Sequence, residues 1–261
     1  MTERSPLTGR LWTQPDLEHA LADRSGDGWE QQALKSFEKA IADEGFPCFF
    51  AHMAHQKQTL CFGFIDDVSD PAAAEIVCQY LDLLDALNGR DEAFHVLVIA
   101  VRSDGCRDTN EAHLRAQAFL DALVAHDPLE WPPGATRDET DPAWQFFFRG
   151  VPIFVNVNVP SYARRRSRNL GPCLVFVIQP RKAFDVIAGR DAAGVRLREE
   201  IRTRIDRFDA IRRSPCLGFY SDDDSREASQ FILGDANSEP IKVTCPRHAV
   251  EKGPSSGGSR Q

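Results

Sequence analysis

The sequence predicts a single α/β (α+β) domain built on a mixed sheet, with antiparallel strands in its second half and helices flanking the sheet. The first half alternates strand-like apolar runs with amphipathic helical stretches, which suits strands joined by crossover helices. In the second half three apolar runs follow one another, and at least the first connection is too short for a crossover helix, so antiparallel pairing is expected. Between the two ends there is no Pro/Gly/Ser-rich linker and no internal repeat. A chain of 261 residues with 42% hydrophobic content has ample material for one large core.

Residues 1–27 mix Pro, Gly, Asp and Ser with little periodicity and are expected to be a flexible N-terminal segment, with the domain proper over 28–248. Trp29, Ala33, Phe37, Ala40 and Ile41 have helical spacing, and Gly45 with Pro47 closes that helix. TLCFGFI (59–65) reads as a strand, and Asp70-Pro71 opens a helix carrying Ile76, Tyr80, Leu83 and Leu87 on one face. AFHVLVIAV (93–101) suits a strand buried on both faces, followed by a helix over 110–126 through Leu114, Ala118, Leu120 and Leu123. The stretch 127–142 holds Pro128, Pro132, Pro133 and Pro142 and is expected to be a long loop. WQFFFRG, VPIFVNVNV and CLVFVIQP then read as strands. A charged amphipathic helix is expected over 192–212, with Val195, Ile201, Ile205, Phe208 and Ile211 inward. The Ser- and Gly-rich residues 249–261 are expected to be a disordered tail.

Several function classes lose support. The net charge of -8 argues against nucleic acid as a partner, since such binding rests on Lys and Arg neutralising phosphates. No window approaches the ~18 apolar residues of a membrane span, and the N-terminus lacks a secretory apolar core, so a cytoplasmic protein without membrane partners is expected. The seven cysteines are an odd number without a CxxC pair, which reads as reduced, mostly buried thiols. No GxSxG elbow, phosphate-binding P-loop or strand-following GxGxxG is present.

Chemistry concentrates at a few places. His52 and His55, in FPCFFAHMAHQ, are spaced to share one face of a helical turn. Zinc would call for three or four clustered ligands, which are missing, whereas one axial imidazole suffices for heme; both are equally readable as surface or hydrogen-bonded histidines. NVPSYARRRSRNLGP gathers Arg164, Arg165, Arg166 and Arg168 near Tyr162, Ser167 and Asn169. Such a cluster reads either as a site for carboxylates or as a solvated basic turn. The arginines of 199–220 read as ion pairs on an exposed helix. Cys48 reads as a buried hydrophobe, because apolar surroundings raise a thiol pKa.

FPCFF, AHQ and LCFGFI near the start, DPLEWPP and DPAWQFFFRGVPIFVNVNVPSYARRRSRNLGP in the middle, and RIDRFD with SPCLGFYSDDDSREASQFIL near the end resemble the YqcI/YcgG family over residues 29–233. That resemblance implies a heme-dependent N-oxygenase acting on the side-chain nitrogen of a free amino acid, the guanidine of arginine or the amine of lysine, in a natural-product pathway. It implies heme b held by a histidine rather than a cysteine, with His55 at the family's position, His52 next and His95 third. Arg164, Arg165, Arg166 and Arg168 are then expected to anchor heme propionates or the substrate carboxylate, with Tyr162, Asn156, Asn158 and Asn169 nearby. Where the family is expected to carry a histidine shortly before the arginine turn, this chain has Tyr162. Dioxygen or peroxide and an external electron donor complete the implied chemistry. A heme-binding sensor or carrier, and a colourless module gripping an acidic ligand, are the competing readings.

Overall fold

The computed structural model describes residues 5–22, 28–87, 89, 91–102, 108–220, 222–238 and 240–247. The expected tail, 249–261, lies outside them. The first half runs β1 (Leu11–Thr13), α1 (Gln14–Ala22), α2 (Trp29–Ile41), α3 (Phe49–Gln56), β2 (Leu60–Ile65), α4 (Ala72–Ala86), β3 (Val96–Val101) and α5 (Thr109–Ala125). The second half runs β4 (Phe146–Phe148), β5 (Val151–Asn158), β6 (Leu174–Pro180), α6 (Lys182–Ala188), α7 (Ala192–Phe208) and α8 (Ala228–Phe231), with a 3-10 turn at Arg166–Arg168. The strands form one sheet in the order β1-β2-β3-β6-β5-β4. Only β2 and β3 pair in parallel, joined by α4; every other pair is antiparallel. The mixed sheet, antiparallel in its second half, is therefore as the sequence predicts.

Strand alternation sends side chains to two separate cores. Cys61 and Ile65, Leu97 and Ile99, Phe176 and Ile178 pack under α4 and α5. Gly63 permits the close approach of α4: a Cβ there would meet Ile76 Cγ2 at 2.8 Å. On the opposite face Leu60, Phe62, Phe64, Val98 and Val175 pack against Ala33, Leu34 and Phe37 of α2. Asp108 and Asp191 cap α5 and α7 by accepting from Glu111 N and Gly194 N at 2.8 and 2.7 Å. No helix among the described residues is long and apolar enough to cross a membrane.

The structure differs from the sequence reading at several points. Residues 11–22, expected to be loose, form β1 and α1, because Leu11, Trp12 and Thr13 pair with Gly63, Phe62 and Cys61 along an open edge of the sheet. The third strand begins at Val96, leaving His95 in the preceding turn with its Nδ1 3.1 Å from Asp91 O. The last long helix stops at Phe208, and Val195 is 49% exposed rather than inward.

Candidate functional site

The second face of the sheet is not fully covered. Across β5 the residues Ile153, Val155 and Val157 turn to the α4/α5 core, which leaves Phe154, Asn156 and Asn158 on the other side, beyond the reach of α2. There a cavity of about 330 Å³ opens, floored by Val98, Phe154, Asn156, Asn158, Val177 and Gln179. Phe37, Ile41, Phe46, Cys48 and Phe50 wall one side, and Ile201 and Ile205 of α7 wall the other. Asn158 Nδ2 donates to Asn156 Oδ1 at 3.0 Å and to Asn156 O at 3.1 Å, fixing both amides on the floor.

The arginine turn divides its charges between inside and outside. Residues 165 and 168 bracket a 3-10 turn, in which side chains three apart eclipse; Arg165 and Arg168 are buried and line the cavity, while Arg164 and Arg166 are exposed. Two carboxylates lock this arrangement. Asp235 accepts from Ala163 N, Arg164 N and Arg165 N at 3.1, 2.8 and 2.7 Å. Asp209 accepts from Ser167 N and Oγ at 2.7 and 2.8 Å. Asn169 Nδ2 donates to Pro160 O and Tyr162 O, and so holds the turn rather than facing the cavity. Arg166 stacks on the Phe208 ring at 4.9 Å and donates to Phe208 O. Tyr162 packs in the other core, with its Oη 2.7 Å from His113 Nε2; burial pushes its pKa up.

The two inward arginines are not equivalent. Arg165 donates to Gly234 O and Asn237 Oδ1, both at 2.6 Å, and clamps the 234–237 loop. Among the described residues Arg168 reaches only backbone carbonyls, Val157 O, Phe231 O and Gln230 O, at 3.3 to 3.4 Å. Desolvation brings its pKa down to about 10. A guanidinium this deeply buried, 8% exposed and without a carboxylate counter-ion, favours an anion from outside the chain.

The cavity also holds a buried acid. Glu227 is 2% exposed and precedes α8, the helix whose carbonyls face Arg168. Arg181 Nε lies 2.8 Å from Glu227 Oε2 without aligning its N–H, and neither carboxylate oxygen accepts a well-formed hydrogen bond. Burial raises the carboxyl to about 7, opposed by the charge of Arg181. Tyr220, whose ring lies 4.1 Å from the Arg181 guanidinium, also lines the cavity, with no well-formed hydrogen bond to its hydroxyl among the described residues. Arg202, which the sequence reading assigned to an exposed helix, also borders the cavity, as does Arg198. Arg198 stacks on Phe219 at 4.2 Å and donates to Ala188 O and Gly189 O. Glu227 carried no sequence signal at all: a Glu among Asp222, Asp223, Asp224 and Arg226 reads as surface charge.

The structure does not bring the histidines to this cavity. His55 sits on α3 with Nε2 3.8 Å from Glu38 Oε1, and His52 packs edge-on to Phe46. Neither lines the cavity, nor does His95. Cys48 does line it, and burial pushes its thiol pKa up. No group of three or more His, Cys, Asp or Glu among the described residues is arranged to hold a metal ion.

Fold and site together define an α/β domain with one uncovered sheet face, where an apolar cavity carries buried charges of both signs. The chain belongs to the YqcI/YcgG family, which matches residues 37–248. It is 32% identical over 227 residues to a Streptomyces lavendulae protein named "Putative N(omega)-hydroxy-L-arginine synthase DcsA", covering 84% of each chain. It is 29% identical over 227 residues to the uncharacterized protein YcgG of Bacillus subtilis, covering 84% of this chain and 87% of that one. Against the uncharacterized protein YqcI of the same organism it is 24% identical over 242 residues, covering 90% and 93%. No solved structure matches.

Proposed function

We propose that this protein is an oxidoreductase that hydroxylates a side-chain nitrogen of a free amino acid, with arginine as the preferred substrate, in the cavity on the second face of the sheet. The observation that carries this reading is Arg168, a buried guanidinium at the cavity with no carboxylate partner, suited to an α-carboxylate. The name of the Streptomyces lavendulae relative points to the guanidine of arginine as the reacting group. In the reaction one oxygen atom enters the new N–O bond and the other leaves as water. An external reductant supplies the electron pair to dioxygen, or hydrogen peroxide supplies oxygen already reduced.

The chain's own residues would bind and orient. Arg168 holds the carboxylate, Asn156 and Asn158 present amides from the floor, and Phe37, Phe46, Phe50 and Phe154 keep water from the reacting nitrogen. Heme b is the oxygen-activating group that the family resemblance implies, and it would supply the oxidising power. A histidine-held heme inside this cavity does not fit the side chains present: none of His52, His55 and His95 lines it. The side chains there with atoms able to ligate iron are Cys48, Tyr220 and Glu227.

The test is turnover of the purified protein, reconstituted with heme b, with L-arginine and L-lysine under reductant plus dioxygen or under peroxide, read by mass spectrometry. A product heavier than arginine by one oxygen supports the reading. No oxygenated product from either amino acid under any of these regimes refutes it.

A further inference from the structure

We propose that Glu227 is the receptor for the cationic side chain of the substrate, and that it acts with Arg168 to select amino acids carrying a carboxylate at one end and positive charge at the side-chain end. This rests on the reading of the cavity as an amino-acid site and names the residue that sets its specificity. Glu227 is buried and borders the cavity; Oε2 faces Arg181, the Phe146 amide helps to hold the charge, and neither oxygen accepts a well-formed hydrogen bond. A carboxylate so placed costs free energy unless an N–H donor reaches it, and a guanidinium supplies such donors in a planar fork. The Tyr220 hydroxyl, unpartnered and on the same cavity, offers a further polar contact, and its ring lies under Arg181.

The geometry suits one molecule spanning both charges. Arg168 contacts the carbonyls of Gln230 and Phe231, and Glu227 stands at the start of the same short helix. Three to four residues of helix rise about 5–6 Å, comparable with the length of an arginine side chain. The other cavity cations are engaged elsewhere: Arg165 with Gly234 and Asn237, Arg181 with Glu227 and the Tyr220 ring, Arg198 with the carbonyls of Ala188 and Gly189, and Arg202, more loosely, with Glu199 at 3.9 Å. The reading distinguishes arginine from citrulline, which has nearly the same shape but a neutral end, and from agmatine, which lacks the carboxylate.

Isothermal titration of the full chain with L-arginine, L-citrulline and agmatine tests the proposal. The wild type should prefer arginine to citrulline by roughly tenfold or more, the scale of one charge-assisted hydrogen bond. In Glu227→Gln that preference should fall to near unity. In Arg181→Gln at about pH 8.5, where Glu227 is ionised and has lost its internal cation, the preference should increase; this variant keeps the test available if Glu227→Gln does not fold. A wild-type ratio near unity overturns the proposal with no variant needed. So does a ratio unchanged in Glu227→Gln, or one that fails to increase in Arg181→Gln. Failure of the wild type to bind either arginine or lysine would instead refute the amino-acid reading itself, so the two failures are distinct.

Discussion

Glu227 should make this protein less stable as the pH rises through neutrality. Its carboxyl is raised from 4.5 to about 7, because burial at 2% exposure outweighs the attraction of Arg181. Arg181 shows the matching effect, its own pKa lowered first by desolvation, as expected where two buried charges lose more hydration than their contact restores. The folded chain therefore holds the Glu227 proton more tightly than the unfolded chain does. Stability from that proton is complete below pH 4.5 and is lost as the pH climbs through about 7. With those two values, linkage gives a loss of roughly 2.5 kcal/mol between about pH 5 and about pH 8.5. For a chain of this size that corresponds to a difference in melting temperature of about 5–10 °C. Thermal unfolding of wild type and Glu227→Gln across that range is the assay, and the difference between them isolates this group from the histidines and cysteines. The glutamine variant should gain on the wild type as the pH rises. A wild-type-minus-variant difference that is flat with pH refutes the reasoning, because Glu227 would then titrate in the ordinary carboxylate range.

Other consequences are local. Gly63→Ala should destabilise by about 1–3 kcal/mol, since the added methyl meets Ile76 Cγ2 and Cδ1 at 2.8 and 3.0 Å; Ile76→Val in the same chain should recover part of that loss in urea unfolding. Asp235→Ala removes the acceptor for three consecutive amides of the arginine turn, at a cost of about 2 kcal/mol or more. Amide hydrogen exchange should show it as lost protection confined to residues 163–165. If heme b is seated in the cavity, its Soret band should survive His55→Ala and be lost or shifted in Cys48→Ser, because Cys48 lines the cavity and His55 faces Glu38. The reverse pattern would place the heme on the α2/α3 side instead.

Periodicity made the long elements legible. α2 and α4 carry a full apolar stripe; α5 does so through Ala112, Ala116, Leu120 and Leu123, with Leu114, expected on that stripe, exposed instead; and β3, β5 and β6 are apolar runs with clear turns between them. β1 was missed because three residues are too short for any period, and its partner is an edge nearly fifty residues away in sequence. Val195 faces outward because the first turn of α7 meets the end of α6 through Gly194, against Ala188 and Gly189, which leaves the next residue on the open side. At the site, the arginine turn was legible as a cluster of charge but not as an inside and an outside. That division comes from the 3-10 turn that eclipses Arg165 with Arg168, and from Asp209 and Asp235, which lie 41 and 67 residues beyond Arg168. Arg198 and Glu227 were illegible for the same physical reason. Each sits in a charge-rich stretch that looks solvated, and only the missing cover over β5 turns them towards a cavity.

The inside and outside arginines are separable by experiment. Arg168→Met should change the stability of the free protein by no more than about 1 kcal/mol, because it exchanges a desolvated cation and three long hydrogen bonds for an apolar side chain of similar length. Arg166→Met removes only an exposed cation stacked on Phe208 and bonded to its carbonyl, and should be similarly mild. The variants should part when arginine is added. A ligand present at a hundredfold excess over its dissociation constant stabilises by about 2.7 kcal/mol, or roughly 5–10 °C here. Wild type and Arg166→Met should show that rise, and Arg168→Met should not. Agmatine should raise the melting temperature of none of them comparably, since it lacks the carboxylate that Arg168 would hold. An arginine-induced rise that persists in Arg168→Met would mean that the carboxylate is held by another of the cavity's cations, with Arg202 the next to replace, and would remove Arg168 from the site.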